Sequence, residues 1–137
     1  MQIVLTALAT VVGGALTLAV GKIIVRGALE PALELKRLIG TIASDLEFYA
    51  NKFEADAPKE QQKWRDIFRK HSSSLKEKLN VIIGYRIFER IFQLPPENDV
   101  RAAAAKLMGY SNRPAKPHPG FEGLPDDEIK RLLRIKA

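Results

Sequence analysis

The chain has no cysteine, two histidines and one tryptophan among its 137 residues. Without cysteine there is no disulfide framework, no thiolate metal site and no cysteine nucleophile. His71 and His118 lie far apart and no HExxH or paired-histidine spacing occurs, so neither a metal nor any other cofactor is expected. The glycines build no phosphate-binding loop: Gly13-Gly14 falls inside an apolar run, and no GK[ST] follows a strand. Ser72, Ser73 and Ser74 follow His71, but no GxSxG elbow surrounds them. Asp126-Asp127 reads as the acidic start of a helix, where the dipole favours negative charge, rather than as a pair of hydrolytic carboxylates. No alternating strand pattern and no internal repeat competes with helix anywhere, which leaves an all-α class. No small-molecule substrate is identified.

Acids are also outnumbered. Lys and Arg total 22 against 16 Asp and Glu, a formal charge of +6, and the surplus is local. Between Lys59 and Arg90 stand nine basic residues (Lys59, Lys63, Arg65, Arg69, Lys70, Lys76, Lys78, Arg86, Arg90) against four acids. Such a segment suits anionic lipid, nucleic acid or an acidic partner. No nucleic-acid module or aromatic-basic interleaving accompanies it, so nucleic acid is not the expected partner. If the segment faces a bilayer, each cation near an anionic surface contributes roughly 1 kcal/mol, enough to lay the second domain helix along the membrane.

The one long uncharged stretch is IVLTALATVVGGALTLAV, from Ile3 to Val20. As a helix it is about 27 Å long against a hydrocarbon layer of about 30 Å, and its nine strongly apolar residues favour insertion by about 3–5 kcal/mol. Ile23, Ile24 and Val25 extend it past Lys22, whose stem can carry the ammonium to the headgroups. No basic residue precedes the run and no small-x-small cleavage site follows it, so an uncleaved anchor is expected over an export signal. A soluble core helix is the competing reading, but a chain this small offers too few neighbours to cover a helix apolar on all sides. Lys22, Arg26, Lys36 and Arg37 all follow the span, which places the N-terminus outside and the rest in the cytoplasm. Thr6, Thr10, Gly13 and Thr17 form a small, hydroxylated stripe at helical spacing, and Ala9 with Gly13 makes a small-xxx-small pair. Close approach of a second copy, or of a partner's membrane helix, is the expectation they raise.

Behind the anchor, Leu35, Leu38, Ile39, Ile42, Leu46, Tyr49 and Phe53 trace one face of a helix expected to start with Pro31 in its first turn. Pro58 opens a second helix, whose seam runs through Trp64, Ile67, Phe68, His71, Leu75, Leu79 and Ile82. The two should pack antiparallel. Gly84 and Pro95-Pro96 bracket a short helix near 86–93. Another runs from an Asn98 or Asp99 cap, with Val100, Ala103, Ala104, Leu107 and Met108 inward, to a stop at Gly109 with Tyr110 packing back. Tyr49, Trp64, Phe88 and Phe92 are core or seam candidates. SNRPAKPHPGFEGLP reads as an irregular connector, and PDDEIKRLLRIKA as a terminal amphipathic helix that either docks or stays free. The expected architecture is a single transmembrane helix followed by a bundle of about four to five helices: anchor 1–25, bundle 26–112, connector 113–124, terminal helix 125–137.

RLIGTIASDLEFYAN, KLMGYSN and the terminal EIKRLLRI resemble a group of small bacterial proteins with one N-terminal span and a helical cytosolic domain, sharing LIG and YAN pieces and an L-x-G-x-SN turn. The resemblance implies the bacterial inner membrane and this architecture, and it supplies no activity or catalytic residue. The expected function is a membrane-anchored interaction or scaffold module, oligomeric or part of a larger membrane complex. A membrane-perturbing, pore-forming effector is the alternative. The RDIFRKH segment, with Arg65 and His71, also resembles the R-x4-6-H spacing of HEPN-type helical ribonucleases, which pair two such sets by dimerisation. A seam histidine beside abundant arginine is the plainer explanation of the same residues, and no enzyme activity is expected.

Overall fold

One helical rod carries the whole N-terminal part of the chain in the computed structural model, which describes residues 1–50, 58–112 and 126–136. It begins as α1 (Gln2–Ile24), passes through a π turn (Val25–Leu29) and continues as α2 (Glu30–Ala50). Proline inside a helix withholds an N–H and drives its ring toward the carbonyl four residues back, here that of Gly27. The widened turn just upstream absorbs both effects: the Glu30 N–H bonds to the Val25 carbonyl, five residues back. Pro31 therefore does not open a new helix, as its position suggested. It lies buried as the second residue of α2, in a helix already running from Gln2.

The remaining elements are α3 (Pro58–Val81), α4 (Tyr85–Phe92), α5 (Glu97–Ser111) and α6 (Asp126–Leu132), and no strand occurs among the described residues. α3 runs antiparallel to α2, since Asp45 pairs with His71 and Glu34 with Lys78. It also runs antiparallel to α5: the buried Ser72 hydroxyl donates to the Ala104 carbonyl at 2.6 Å, while Arg69 reaches Asn112 at 3.3 Å. The core is the expected seam. Leu35, Ile42 and Leu46 of α2 meet Phe68, Leu75 and Leu79 of α3, and Val100, Ala103, Ala104 and Leu107 of α5 close the other side. Leu38, Ile39 and Ile67 are half-buried at its edge; Phe53 and the connector 113–124 lie outside the described residues.

Two short helices end by the same device. Gln93 (φ 52°) after α4 and Arg134 (φ 54°) after α6 take the left-handed conformation. In each case the next N–H turns back five residues, Leu94 to Glu89 at 3.0 Å and Ile135 to Lys130 at 2.9 Å. That is the Schellman arrangement, usually built on glycine, and here the apolar residue after the turn packs into the core. At the head of α4, Gly84 (φ 72°) fills the left-handed position that lets α3 turn over. Tyr85 then buries its ring and donates its hydroxyl to the Pro95 carbonyl at 2.6 Å, tying α4 to the following turn. Burial holds its phenol well above the usual range.

Gly109 does not stop α5. The helix passes it to Ser111, and Tyr110 still packs inward, its ring 5.4 Å from Trp64 and 5.1 Å from Phe68. Nor do Asn98 or Asp99 cap its start: Glu97 is already helical, and the Pro96 carbonyl accepts from the Asp99 and Val100 N–H groups. α6 is docked rather than free. Ile129 and Leu133 are buried, and Glu128 pairs with Lys106 of α5 at 2.9 Å.

Candidate membrane interface

α1 has no buried residue at all, and every position from Met1 to Arg26 is exposed. Eleven large aliphatic side chains between Ile3 and Ile24 stand open, none less than 51% exposed. At about 1.5–3 kcal/mol for fully covering each such side chain, leaving them in water forgoes on the order of 15 kcal/mol. A domain of this size has only about 5–15 kcal/mol of net stability, so water is a poor solvent for α1. Near the N-terminus the chain thus has one helix long and apolar enough to cross a membrane.

The polar groups within it need no outside partner. The hydroxyls of Thr6, Thr10 and Thr17 each donate to the carbonyl four residues back, on Gln2, Thr6 and Gly13, all at 2.9 Å. Space around Gly13 is open, and among the described residues none packs against it from outside α1. Lys22 and Arg26 are exposed at the C-terminal end, where hydrocarbon would give way to headgroups.

The basic residues of α3 do not share one face. At 3.6 residues per turn, Lys59, Lys63 and Lys70 fall on the side opposite the buried seam, while Arg65, Arg69 and Lys76 fall about 120° away toward α5. Asp66 and Glu77 lie among the first group, and Arg69 is engaged with Asn112. The Arg65 guanidinium lies over the Trp64 ring, 5.7 Å from its centroid. Lys78 turns toward α2, and its bond to Glu34 raises its pKa. A further obstacle is direction. α3 runs alongside the continuation of α1, so its Pro58 end is carried away from any membrane that α1 crosses, and the helix does not lie along the surface. Only its Val81 end comes close to the anchor.

Arg65 and His71 also face different ways, six residues and about 120° apart on α3. The His71 ring is buried against Phe68, with Nε2 2.6 Å from Asp45 Oδ2. This pair links α2 to α3. No group of three or more His, Cys, Asp or Glu among the described residues is placed to hold a metal ion.

A feature that the reading of the sequence passed over lies where the rod meets the bundle. Val81, Ile83, Ile87 and Ile91 are exposed, the three isoleucines by 72%, 63% and 63%, and the Ile83 Cδ1 approaches within 3.7 Å of where a side chain on Gly27 would begin. The signal was present as a second apolar stripe: 83, 87 and 91 step by four, while Tyr85, Phe88 and Phe92 serve the core.

No family model, curated protein or solved structure matches this chain. Fold and surface by themselves define its class: an all-α chain in which one bare apolar helix continues directly into a packed helical bundle.

Proposed function

We propose that this protein is a single-pass, membrane-anchored interaction module, with α1 across the bacterial inner membrane, its N-terminus outside and the bundle held at the cytoplasmic face. The observation that carries the reading is the contrast within one helix: wholly exposed and apolar up to Ile24, then amphipathic and packed from Ala28 onward. Cations at Lys22, Arg26, Lys36 and Arg37, all on one side of the span, support the orientation. Threonine hydroxyls satisfied inside α1 suit a helix surrounded by lipid or by another apolar helix. The module works by assembling, with further copies or with a membrane partner, and its chemistry is recognition rather than turnover.

Topology and assembly are tested together. Because the chain has no native cysteine, Gln2→Cys and Lys59→Cys each carry one thiol. A membrane-impermeant maleimide should label position 2 in intact spheroplasts and position 59 only in inverted vesicles; the opposite pattern overturns the orientation. Sedimentation of the detergent-extracted protein should show a mass above that of one chain. A monomer that cross-links to nothing in native membranes would overturn the interaction role.

A further inference from the structure

We propose that the outer face of α4, with the turn that leads into it, is a second and shallow contact with the lipid bilayer. The inference rests on α1 being a membrane span, and it concerns a surface that the span does not itself require.

Three observations converge on it. The first is position. Antiparallel pairing of α2 and α3 brings the turn after α3 down to Gly27, where Ile83 packs. Gly27 is five residues beyond Lys22, about 7.5 Å along the helix, which lies within the headgroup layer if the hydrocarbon ends near Lys22. The second is chemistry. Val81, Ile83, Ile87 and Ile91 turn their side chains away from the core, although Tyr85, Phe88 and Phe92 of the same segment turn inward. A helix of eight residues with isoleucine outside and aromatic residues inside has two apolar faces, and the bundle covers only one of them. The third is charge. Arg86 and Arg90 are exposed beside the isoleucine ridge, as are Lys22 and Arg26 on the anchor, so the rim that approaches the membrane is cationic. An apolar ridge flanked by arginines, continuous with the lipid-facing surface of the anchor, fits an anionic bilayer surface.

The geometry also orders the depths. Lys36 donates to the Phe92 carbonyl at 3.2 Å, so the far end of α4 sits higher along α2 than its start. Ile83 should be deepest, Ile87 intermediate and Ile91 shallowest. Two footholds would hold the bundle at one angle to the membrane, where a single span would leave it free to swivel.

The test uses the full chain, whose lack of cysteine makes every introduced thiol unique. Ile83→Cys, Ile87→Cys and Ile91→Cys are labelled with an environment-sensitive nitrobenzoxadiazole dye. Leu8→Cys reports on the anchor and Lys59→Cys on the distal end of α3. Each protein is reconstituted into vesicles of phosphatidylcholine containing a minority of phosphatidylglycerol. The expected result is blue-shifted emission at 83 and 87, quenched by lipids doxylated near the headgroup and several-fold less accessible to aqueous iodide than at 59, with 91 intermediate. Label 8 should be quenched by deeply doxylated lipid. If label 8 lies in hydrocarbon while 83 and 87 behave as 59 does, the contact proposed here is overturned and the span stands. If label 8 is open to iodide, the span falls and this proposal with it. If 83 and 87 are shielded yet insensitive to doxyl lipid, and self-quench until diluted with unlabelled chain, a second copy covers the ridge and the lipid assignment is wrong.

Discussion

Phe68→Ala should cripple the bundle while leaving the anchor intact. Phe68 is wholly buried at the meeting point of three helices, with ring centroids 5.9 Å from Tyr49 of α2, 5.1 Å from Tyr110 of α5, and 6.0 Å and 6.4 Å from Trp64 and His71 of α3. Truncating a buried phenylalanine costs about 3–5 kcal/mol through lost transfer energy and the cavity left behind. Edge-to-face contacts put this site toward the upper end, since each is worth about 0.5–1.5 kcal/mol beyond burial. Against a net stability of about 5–15 kcal/mol, the loss is about a fifth or more. At about 4 °C per kcal/mol for a domain of this size, the midpoint should fall by about 12–20 °C. Thermal melts of the full chain in detergent, followed by circular dichroism and by the single tryptophan, would read it, because Trp64 is itself 7% exposed in the same cluster. Phe48→Ala is the control: Phe48 is 53% exposed, with its ring centroid 5.0 Å from that of Tyr49. Its cost should stay within about 1 kcal/mol. Equal shifts for the two variants would refute the proposed packing of α2, α3 and α5 around Phe68.

Other consequences follow from single positions. Gly27→Ala should be tolerated or slightly stabilising, by up to about 1 kcal/mol, because a methyl group there meets Ile83 at ordinary contact distance while the helix loses a glycine. Gly27→Leu should instead displace α4, seen as lost amide protection at Tyr85–Phe92 with α5 unchanged. Gln93→Gly relieves a left-handed residue that carries a side chain and should raise the melting point, by an amount corresponding to about 1 kcal/mol; a lowered melting point would mean that the Schellman turn after α4 is not formed in solution. Asp126 is held above the usual carboxylate range, first by burial and then by Asp127 and Glu47, with Lys130 opposing. A raised folded pKa means stability fully present below the unfolded value of 3.8 and lost as pH rises through the folded value. Protection of α6, corrected for intrinsic exchange, should therefore weaken as pH climbs from acid toward neutral. Asp126→Asn should abolish that dependence.

What could be read from the residues alone was whatever a helix repeats every three or four positions. The seam from Trp64 to Ile82 and the face from Leu35 to Tyr49 were visible because burial imposes that period directly on the sequence. Pro31 misled because proline in a first turn and proline after a widened turn look the same without knowing which hydrogen bonds precede it. Gly109 misled for a similar reason: glycine permits a left-handed stop but does not demand one. The Asp45–His71 link depends on how helices face one another, which no local pattern records, whereas the scatter of the α3 cations follows from helical spacing alone. The isoleucine ridge was legible in principle, as a stripe offset from the aromatic one.

All of the functional reading depends on α1 residing in lipid. The direct measurement is alkaline carbonate extraction of membranes from cells expressing the full chain, alongside a Leu8→Arg/Val12→Arg variant. The two arginines cost about 5–7 kcal/mol near the bilayer centre against about 3–5 kcal/mol favouring insertion. The parent should stay with the carbonate-washed membranes and the variant should leave them. If the intact parent is released by carbonate, or if the variant is retained as firmly as the parent, α1 does not span the membrane.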